Sequence, residues 1–250
     1  MEMMAGSLDW ASPMAAAQYV AAGIAMGFGA IGAGVGEGYN AAEAVDSIAR
    51  QPAAAGELTR AMLVGQAIAE TSGIFALVVA FILMFIGPQP CMEAMGAYLG
   101  AGLAMGLGAV GSGIGAGIAG ARAAAGIGRN PHSRGSVTLT MLLGQALATS
   151  PSVFALVVAV ILAFAQGFQR YLGSDIAVTV AALSAGLCVG AGAIGPGYGA
   201  GLAAAGACDG VSRRPEASMN ITRVMLVGGA VSQSTSIYAF VIALILIIFI

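Results

Sequence analysis

The sequence is poor in charge and contains no lysine. Only 8% of its 250 residues are charged, whereas about a quarter are charged in a soluble domain. So few charges cannot cover a water-exposed surface, which excludes an ordinary soluble domain. The net charge is −2, and no basic stretch is interleaved with aromatic residues, so nucleic acid is excluded as a partner.

Residues for metal and nucleophilic chemistry are also scarce. The spacing of Cys91, Cys188 and Cys208 matches no metal site, which favours small apolar packing residues. The single histidine, His132, lies in a predicted turn with no nucleophile beside it. We therefore expect no catalytic residue and no cofactor in this chain.

The N-terminal residues 1–12 lack the positively charged segment that begins a signal peptide. We expect them to form a short lead-in at the membrane interface. Trp10 would then lie at the level of the lipid headgroups, where tryptophan is enriched.

What the sequence does contain is apolar runs long enough to cross a bilayer. Hydrophobic residues make up 59% of the chain, and runs of spanning length recur, for example Ala61–Phe85, Leu139–Phe164 and Val224–Ile250. There are also 39 glycines, and small residues let membrane helices pack closely. The composition indicates an integral membrane protein.

A threefold repeat predicts the architecture. The segment GFGAIGAGVGEGY from Gly27 returns as GLGAVGSGIGAGI from Gly106 and as GAGAIGPGYGAGL from Gly190. Each copy continues through a polar turn with a proline, which disfavours helix in the preceding residue, into a second apolar run. The predicted fold is all-α: an integral membrane protein of six transmembrane helices in three tandem helical hairpins.

The predicted domains are a lead-in at 1–12, a first hairpin at 13–86, a second at 94–168 and a third at 174–250. Within them, the predicted helices cover 13–47, 56–86, 94–127, 135–168, 174–211 and 217–250.

The arginines predict the orientation. Eight of the nine lie in or near the turns inside the hairpins, and Arg170 alone lies at the opposite end. The positive-inside rule then places these turns in the cytoplasm and both termini outside. The eight are Arg50, Arg60, Arg122, Arg129, Arg134, Arg213, Arg214 and Arg223.

Each first helix contains a seven-residue run in which every second residue is glycine. A dinucleotide-binding loop would need a preceding strand, so that interpretation fails inside an apolar helix. Glycines two and four residues apart lie on more than one helix face, which favours a ring of similar helices over a dimer that needs a single face. The runs are Gly32, Gly34, Gly36 and Gly38; Gly111, Gly113, Gly115 and Gly117; and Gly195, Gly197, Gly199 and Gly201.

Two acidic residues lie far from any turn. Glu37 is in the first glycine run and Glu70 is in the middle of the apolar run that follows. Both are equally distant in sequence from the turn at Ala53–Ala54, so they should face each other at one depth. An ionised side chain at the bilayer centre costs at least about 2.5–3.5 kcal/mol. One carboxylate should therefore hold a proton, or both should share a cation.

Further oxygens are close in sequence. The Thr71 hydroxyl and the Ile68 backbone carbonyl would complete an all-oxygen shell for Na⁺, by analogy with other hard cations. The plain alternative is a shared-proton hydrogen bond that only ties two helices together.

The other two copies lack the acids. Glu37 is replaced by Ala116 and Ala200, and Glu70 by Thr149 and Gln233. We therefore predict one ion site per chain.

These motifs resemble the proteolipid, or c-type rotor protein, of rotary ATPases. The resemblance rests on the alternating glycines, on the Arg-x-Pro turn and on the carboxylate in GQAIAETSGIFALVVAFIL. It covers nearly the whole chain three times and is greatest to the sodium-translocating F-type branch. Glu70 matches the ion-binding glutamate of that family and Thr71 a hydroxyl ligand, whereas Phe75 stands where sodium sites often have tyrosine.

The resemblance implies a mechanism and a set of partners. Copies of the chain would form a ring, with glycine helices inside and carboxylate helices outside, that turns against a stator a subunit in the membrane. The ring would carry Na⁺ or H⁺. From the single site per chain we further expect few ions per turn, which favours ATP-driven pumping over synthesis. The turns would contact the central stalk through Arg50, Gln51, Pro52, Arg129, Asn130, Pro131, Arg213, Arg214 and Pro215.

The resemblance also points to a membrane lipid environment, in the plasma membrane of a prokaryote. The alternatives are a channel or secondary transporter that uses Glu37 and Glu70 as a proton relay, and a structural ring in which the acids are idle.

Overall fold

The computed structural model describes residues 13–87, 92–164 and 175–248. They form six long helices, with a short 3₁₀ turn where each hairpin reverses direction. The helices are α1 (Pro13–Arg50), α2 (Ala55–Phe85), α3 (Met92–Arg129), α4 (Arg134–Phe164), α5 (Asp175–Arg213) and α6 (Ser218–Ile248). All six are long and apolar enough to cross a membrane, so the predicted all-α membrane fold of three hairpins is confirmed. The predicted lead-in with Trp10, Cys91 and Arg170 lie outside the described residues.

The first helix of each hairpin extends further into the turn than the sequence predicts. α1, α3 and α5 end at Arg50, Arg129 and Arg213, beyond the predicted ends at 47, 127 and 211. The reason is local, because a proline disfavours helical geometry only in the residue directly before it. The helix therefore continues until one residue remains before Pro52, Pro131 or Pro215, and that proline starts the 3₁₀ turn.

The three first helices form an inner row. α3 packs along its length against α1 on one side and α5 on the other. Accordingly 72% of an apolar 18-residue stretch of α3 is buried, against 39% in α1 and in α5. The second helices α2, α4 and α6 form an outer row, in which α2 also contacts α3 and α4 also contacts α5. The molecule is therefore an arc of three hairpins with two open edges.

The glycines of α3 allow this close packing. A side chain at Gly111 or Gly115 would overlap the backbone of α5, and one at Gly113 or Gly117 would overlap the backbone of α1. The glycines thus alternate between the two neighbours along one helix, which lets the backbones approach closely.

The glycine runs of the two end helices are used on one side only. Gly32 and Gly36 of α1 lie against α3, whereas Gly34 and Gly38 have nothing within 4 Å. In α5, Gly197 and Gly201 lie against α3, Gly199 lies against Ser232 of α6, and Gly195 has nothing within 4 Å.

Ion pairs join the hairpins at the end that carries the turns. Arg134 Nη1 lies 2.7 Å from Glu57 Oε1, between the first two hairpins. Arg129 pairs with Asp209, between the last two. Asn130 Nδ2 donates to the Ser212 carbonyl at 3.0 Å. Single exposed ion pairs contribute only about 0–1 kcal/mol each, so they align hairpins that the apolar contacts hold together.

Candidate ion-binding site

Glu37 and Glu70 lie on facing helices of the first hairpin. Both lie more than ten residues from the turn at Pro52–Ala54, within membrane-spanning helices. Glu37 on α1 is half-buried, whereas Glu70 on α2 is exposed at the open edge of the arc. The remaining acids with described side chains lie nearer the turns: Glu43, Asp46, Glu57, Asp209 and Glu216.

The residues beside Glu70 present oxygen atoms. The Thr71 hydroxyl donates to the Ile68 carbonyl at 2.6 Å. Because its proton is used in that bond, the Thr71 oxygen keeps its lone pairs for a cation or a proton donor. Phe75 is half-buried and packs against the hydrophobic core.

Two amide side chains that the sequence analysis did not single out tie α1 to α2 near the carboxylates. Gln66 Nε2 donates to the Glu37 backbone carbonyl at 3.3 Å. Asn40 Nδ2 donates to the Met62 carbonyl at 3.0 Å, and Asn40 is fully buried. The sequence did offer a sign of both residues. Each is a polar residue inside an apolar run, and each lies about one helical turn from an acid, Gln66 from Glu70 and Asn40 from Glu37.

The boundary between the first and second hairpins is filled without a carboxylate. Gln145, one turn before Thr149, is fully buried and donates to the carbonyls of Gly65 at 3.0 Å and Ala116 at 2.8 Å. The Thr149 hydroxyl turns back to its own helix and donates to the Gln145 carbonyl at 3.0 Å.

The boundary between the second and third hairpins is closed differently. Gln233, at the position of Glu70, is 7% exposed, and its Nε2 donates to the Leu147 carbonyl at 2.8 Å. Ala200, at the position of Glu37, is buried. Position 233 therefore points at the preceding hairpin, whereas Glu70 points at an open edge.

Comparison with known proteins agrees with the repeat. The sequence profile of the ATP synthase C subunit family matches residues 20–83, 99–162 and 183–246. The ATP synthase c subunit of Natranaerobius thermophilus is 48% identical over 81 residues, which are 32% of this chain and 93% of that relative. The same protein of Petrotoga mobilis is 48% identical over 83 residues, 33% of this chain and 85% of the relative.

A third relative, the ATP synthase c subunit of Thermotoga maritima, is 48% identical over 69 residues, 28% of this chain and 81% of the relative. Each relative thus corresponds to about one hairpin, and the profile covers all three. The chain belongs to the ATP synthase C subunit family as a fusion of three hairpins, and it is a non-catalytic, ion-translocating membrane rotor subunit.

Proposed function

We propose that each chain carries one monovalent cation, Na⁺ or H⁺, bound at Glu37 and Glu70, past the stator of an ATP-driven pump. The observation that supports this most is that Glu37 and Glu70 lie at the same level of two adjacent membrane-spanning helices, with Gln66, one turn before Glu70, bonded to the Glu37 backbone. Two adjacent carboxylates cannot both stay ionised there, so the pair holds either a shared proton or a cation. The Thr71 oxygen suits the all-oxygen shell of a hard cation, with Ile68 holding that hydroxyl in place.

The open edges of the arc support a ring made from several copies. Gly113 of α3 lies against Gly32 and Ala33 of α1, and Gly117 lies against Gly36. Gly34 and Gly38 are the repeat equivalents of Gly113 and Gly117, and Gly195 and Gly199 are those of Gly32 and Gly36. If two copies pack as two hairpins of one chain do, Gly34 and Gly38 of one copy lie against Gly195 and Gly199 of its neighbour. A head-to-tail interface of this kind closes into a ring when its rotation permits.

Ring closure also completes the ion site. At the boundary inside the chain, residue 233 contacts the carbonyl of residue 147. Glu70 is the repeat equivalent of Gln233, and Val231 is that of Leu147. If copies pack as the second and third hairpins do, Glu70 lies against the Val231 carbonyl of the neighbouring copy. Val231 and its surroundings on α6 are exposed in the single chain. We infer that the cation lies between two copies, with ligands from both.

An aromatic contact inside the chain also has an equivalent between copies, about two helical turns from the ion site. Phe154 of α4 stacks on Phe240 of α6, with ring centroids 5.2 Å apart. The repeat places Tyr238 of one copy beside Leu77 of the next, seven residues after Glu70. Helical aromatic side chains lean toward the N-terminus of their helix, so the Tyr238 ring leans toward the level of Glu70. Its hydroxyl would supply the group that Phe75 lacks.

The charge of the Glu70 carboxylate determines where it can bind and release its cation. Glu70 takes its cation where the stator opens to one side of the membrane, carries it neutralised through lipid and releases it beside the stator arginine. An ionised carboxylate is costly in lipid, which keeps an empty site from leaving the stator. Thr149 and Gln233 pass the stator as neutral positions, with Ala116 and Ala200 behind them.

The arginine-rich turns would face the cytoplasm of a prokaryotic cell and contact the central stalk. Arg50, Arg129, Arg213 and Arg214 are exposed there. A channel or secondary transporter is not favoured, since the family's members are rotor subunits.

Carbodiimide modification is expected to label Glu70 in purified rings. The carboxyl group must be protonated to react, so Na⁺ in the millimolar range should slow labelling if Na⁺ is the transported ion; if H⁺ is transported, labelling should depend on pH alone. Tyr238→Phe, which copies Phe75 and Phe154, should weaken protection by Na⁺ but leave labelling intact. Peptide mass spectrometry locates the adduct, and an unmodified Glu70 under all conditions would contradict the proposed site.

The ion count per ATP is expected to follow the number of chains in the ring. One carboxylate site per three hairpins means about a third of the ions that a ring of the same size with a site in every hairpin would move. Each elementary charge moved against 100 mV requires about 2.3 kcal/mol, so fewer ions per ATP permit a steeper gradient. Ion uptake and ATP hydrolysis measured together in vesicles give the ratio. A ratio that matches the number of hairpins would overturn the proposal.

A further inference from the structure

The Leu147 carbonyl lacks its ordinary partner inside α4. In a helix, a carbonyl accepts a hydrogen bond from the backbone N–H four residues later. For Leu147 that residue is Pro151, which lies inside α4 and has no N–H. In a bilayer, a backbone carbonyl left unpaired is strongly unfavourable. This carbonyl therefore needs a donor from another residue.

Gln233 of the third hairpin supplies that donor. Its Nε2 donates to the Leu147 carbonyl at 2.8 Å. At the other end of the same amide, Oε1 lies 3.3 Å from the Ser236 hydroxyl, which is buried. The single Ser236 proton also has the Gln233 backbone carbonyl within 2.8 Å, so the bond from Gln233 Nε2 to Leu147 is the contact that joins the second and third hairpins here.

In the other two hairpins the equivalent carbonyl keeps a backbone N–H four residues later. Ser72 and Thr235 stand at the position of Pro151, and both have a backbone N–H. The equivalent carbonyls also accept a side-chain hydroxyl, with Thr71 bonded to Ile68 at 2.6 Å and Ser234 bonded to Val231 at 2.8 Å.

In the second hairpin the corresponding hydroxyl goes elsewhere. Ser150 donates to the Ala146 carbonyl at 2.9 Å and leaves the next carbonyl, that of Leu147, to Gln233. The proline and the glutamine therefore act as one unit across the boundary.

We propose that Pro151 and Gln233 form a closed imitation of a loaded ion site, in which the Gln233 amide N–H occupies the place of the cation. This inference rests on the proposed ion site at Glu70. The amide donates to the carbonyl that a cation would contact, carries no charge and cannot exchange. Gln233 is thus the residue that keeps the boundary between the second and third hairpins from taking an ion.

The same geometry holds a latent site for a monovalent cation. A carboxylate at position 233 would face the carbonyl freed by Pro151, with the Ser236 hydroxyl beside it. No second acid lies opposite, because Ala200 stands there, so the new site would have one carboxylate.

The test is the number of carbodiimide-reactive sites per chain in assembled rings of the full-length protein. Wild type should carry one and Gln233→Glu two. Glu70→Gln should carry none, and the double variant Glu70→Gln/Gln233→Glu should carry one, at position 233. Binding of ²²Na⁺ to the same rings should follow the same series if Na⁺ is the ion.

These results separate the two proposals. A double variant that forms rings but remains unmodified at position 233 overturns the latent site. A wild-type ring unmodified at Glu70 overturns the proposed function, whatever happens at position 233.

A second measurement covers the case in which Gln233→Glu prevents ring assembly. Gln233→Leu should lower the temperature at which rings dissociate in detergent, because it leaves the Leu147 carbonyl without a donor. Pro151→Ala restores the backbone N–H, so Pro151→Ala/Gln233→Leu should recover most of that loss. Equal losses with and without Pro151 would show that the two residues are not coupled, and the inference would fail.

Discussion

Glu70→Gln is expected to reduce cation transport by reconstituted enzyme to the level of vesicles without enzyme. Glutamine has the shape of a protonated glutamate but cannot release a proton or take the negative charge that binds a cation. The chain itself predicts that the variant folds, since Gln233 already occupies this position in the third hairpin and is buried there. The loss should therefore be one of transport and not of assembly.

The measurement is ATP-driven uptake of ²²Na⁺, or acidification of the vesicle lumen if the ion is H⁺, beside electrophoresis of the intact ring. Glu57→Gln is the matched control. It removes an acid of the same helix, α2, that lies in its first turn and pairs with Arg134 at 2.7 Å. That exposed pair is worth about 0–1 kcal/mol, so transport should persist. Uptake at the wild-type rate by Glu70→Gln rings would show that the carboxylate pair has no part in transport.

Gly195→Leu is expected to prevent ring closure and leave the hairpins themselves intact. Gly195 has nothing within 4 Å in the single chain. Its equivalents do: Gly111 lies against Ile194 and Gly32 against Val110, each on the next inner helix. The repeat therefore places Gly195 against Ile31 of a neighbouring copy, and Ile31 is half exposed in this chain. A leucine there would force the two backbones apart.

The control for this prediction lies on the same helix. Gly206 also has nothing within 4 Å, but the other repeats carry Glu43 and Arg122 at its position, and Arg122 is exposed although α3 has neighbours on both sides. Gly206→Leu should therefore be accepted in the ring. Overpacking a close contact costs about 1–3 kcal/mol or more, and every copy in the ring would carry the defect. Leucine also favours helix over glycine, so neither variant should unfold α5.

Mass measurement of detergent-extracted protein distinguishes the outcomes. Gly195→Leu should yield single chains or open oligomers, and Gly206→Leu should yield the wild-type ring. If both variants give complete rings, the open face of α5 is not the surface through which copies associate. Circular dichroism of each variant confirms whether the helices remain.

The fusion of three hairpins makes the boundaries between them unequal. The boundary inside the chain at Gln145 has a buried amide that bonds to Gly65 and Ala116. The boundary at Gln233 has an amide bonded to Leu147. Only the boundary between copies would present a carboxylate, with Glu70 on one side and α6 on the other. In a ring of identical single hairpins all boundaries are the same, so either all of them or none of them would have a carboxylate.

Much of this protein was determined by the sequence alone. Lipid provides no hydrogen bonds to the backbone, so long apolar runs must be helices, and the threefold repeat divides them into hairpins. The prolines after Arg50, Arg129 and Arg213 set the turns. The depth of Glu37 and Glu70, and their replacement at positions 116, 149, 200 and 233, can be read by counting residues. The expected family followed from the same motifs.

Only the tertiary structure decided which side chains meet across helices. Periodicity gives the faces of a helix but not its rotation or its lateral neighbour, and these decide that Gly111 and Gly115 meet α5 while Gly113 and Gly117 meet α1. The same holds for the hydrogen bonds of Gln66, Asn40 and Gln145, whose partners are backbone carbonyls that carry no sequence signal. The proline at position 151 and the glutamine at position 233 are far apart in the chain. Packing of α6 against α4 brings that glutamine to the carbonyl that the proline leaves free.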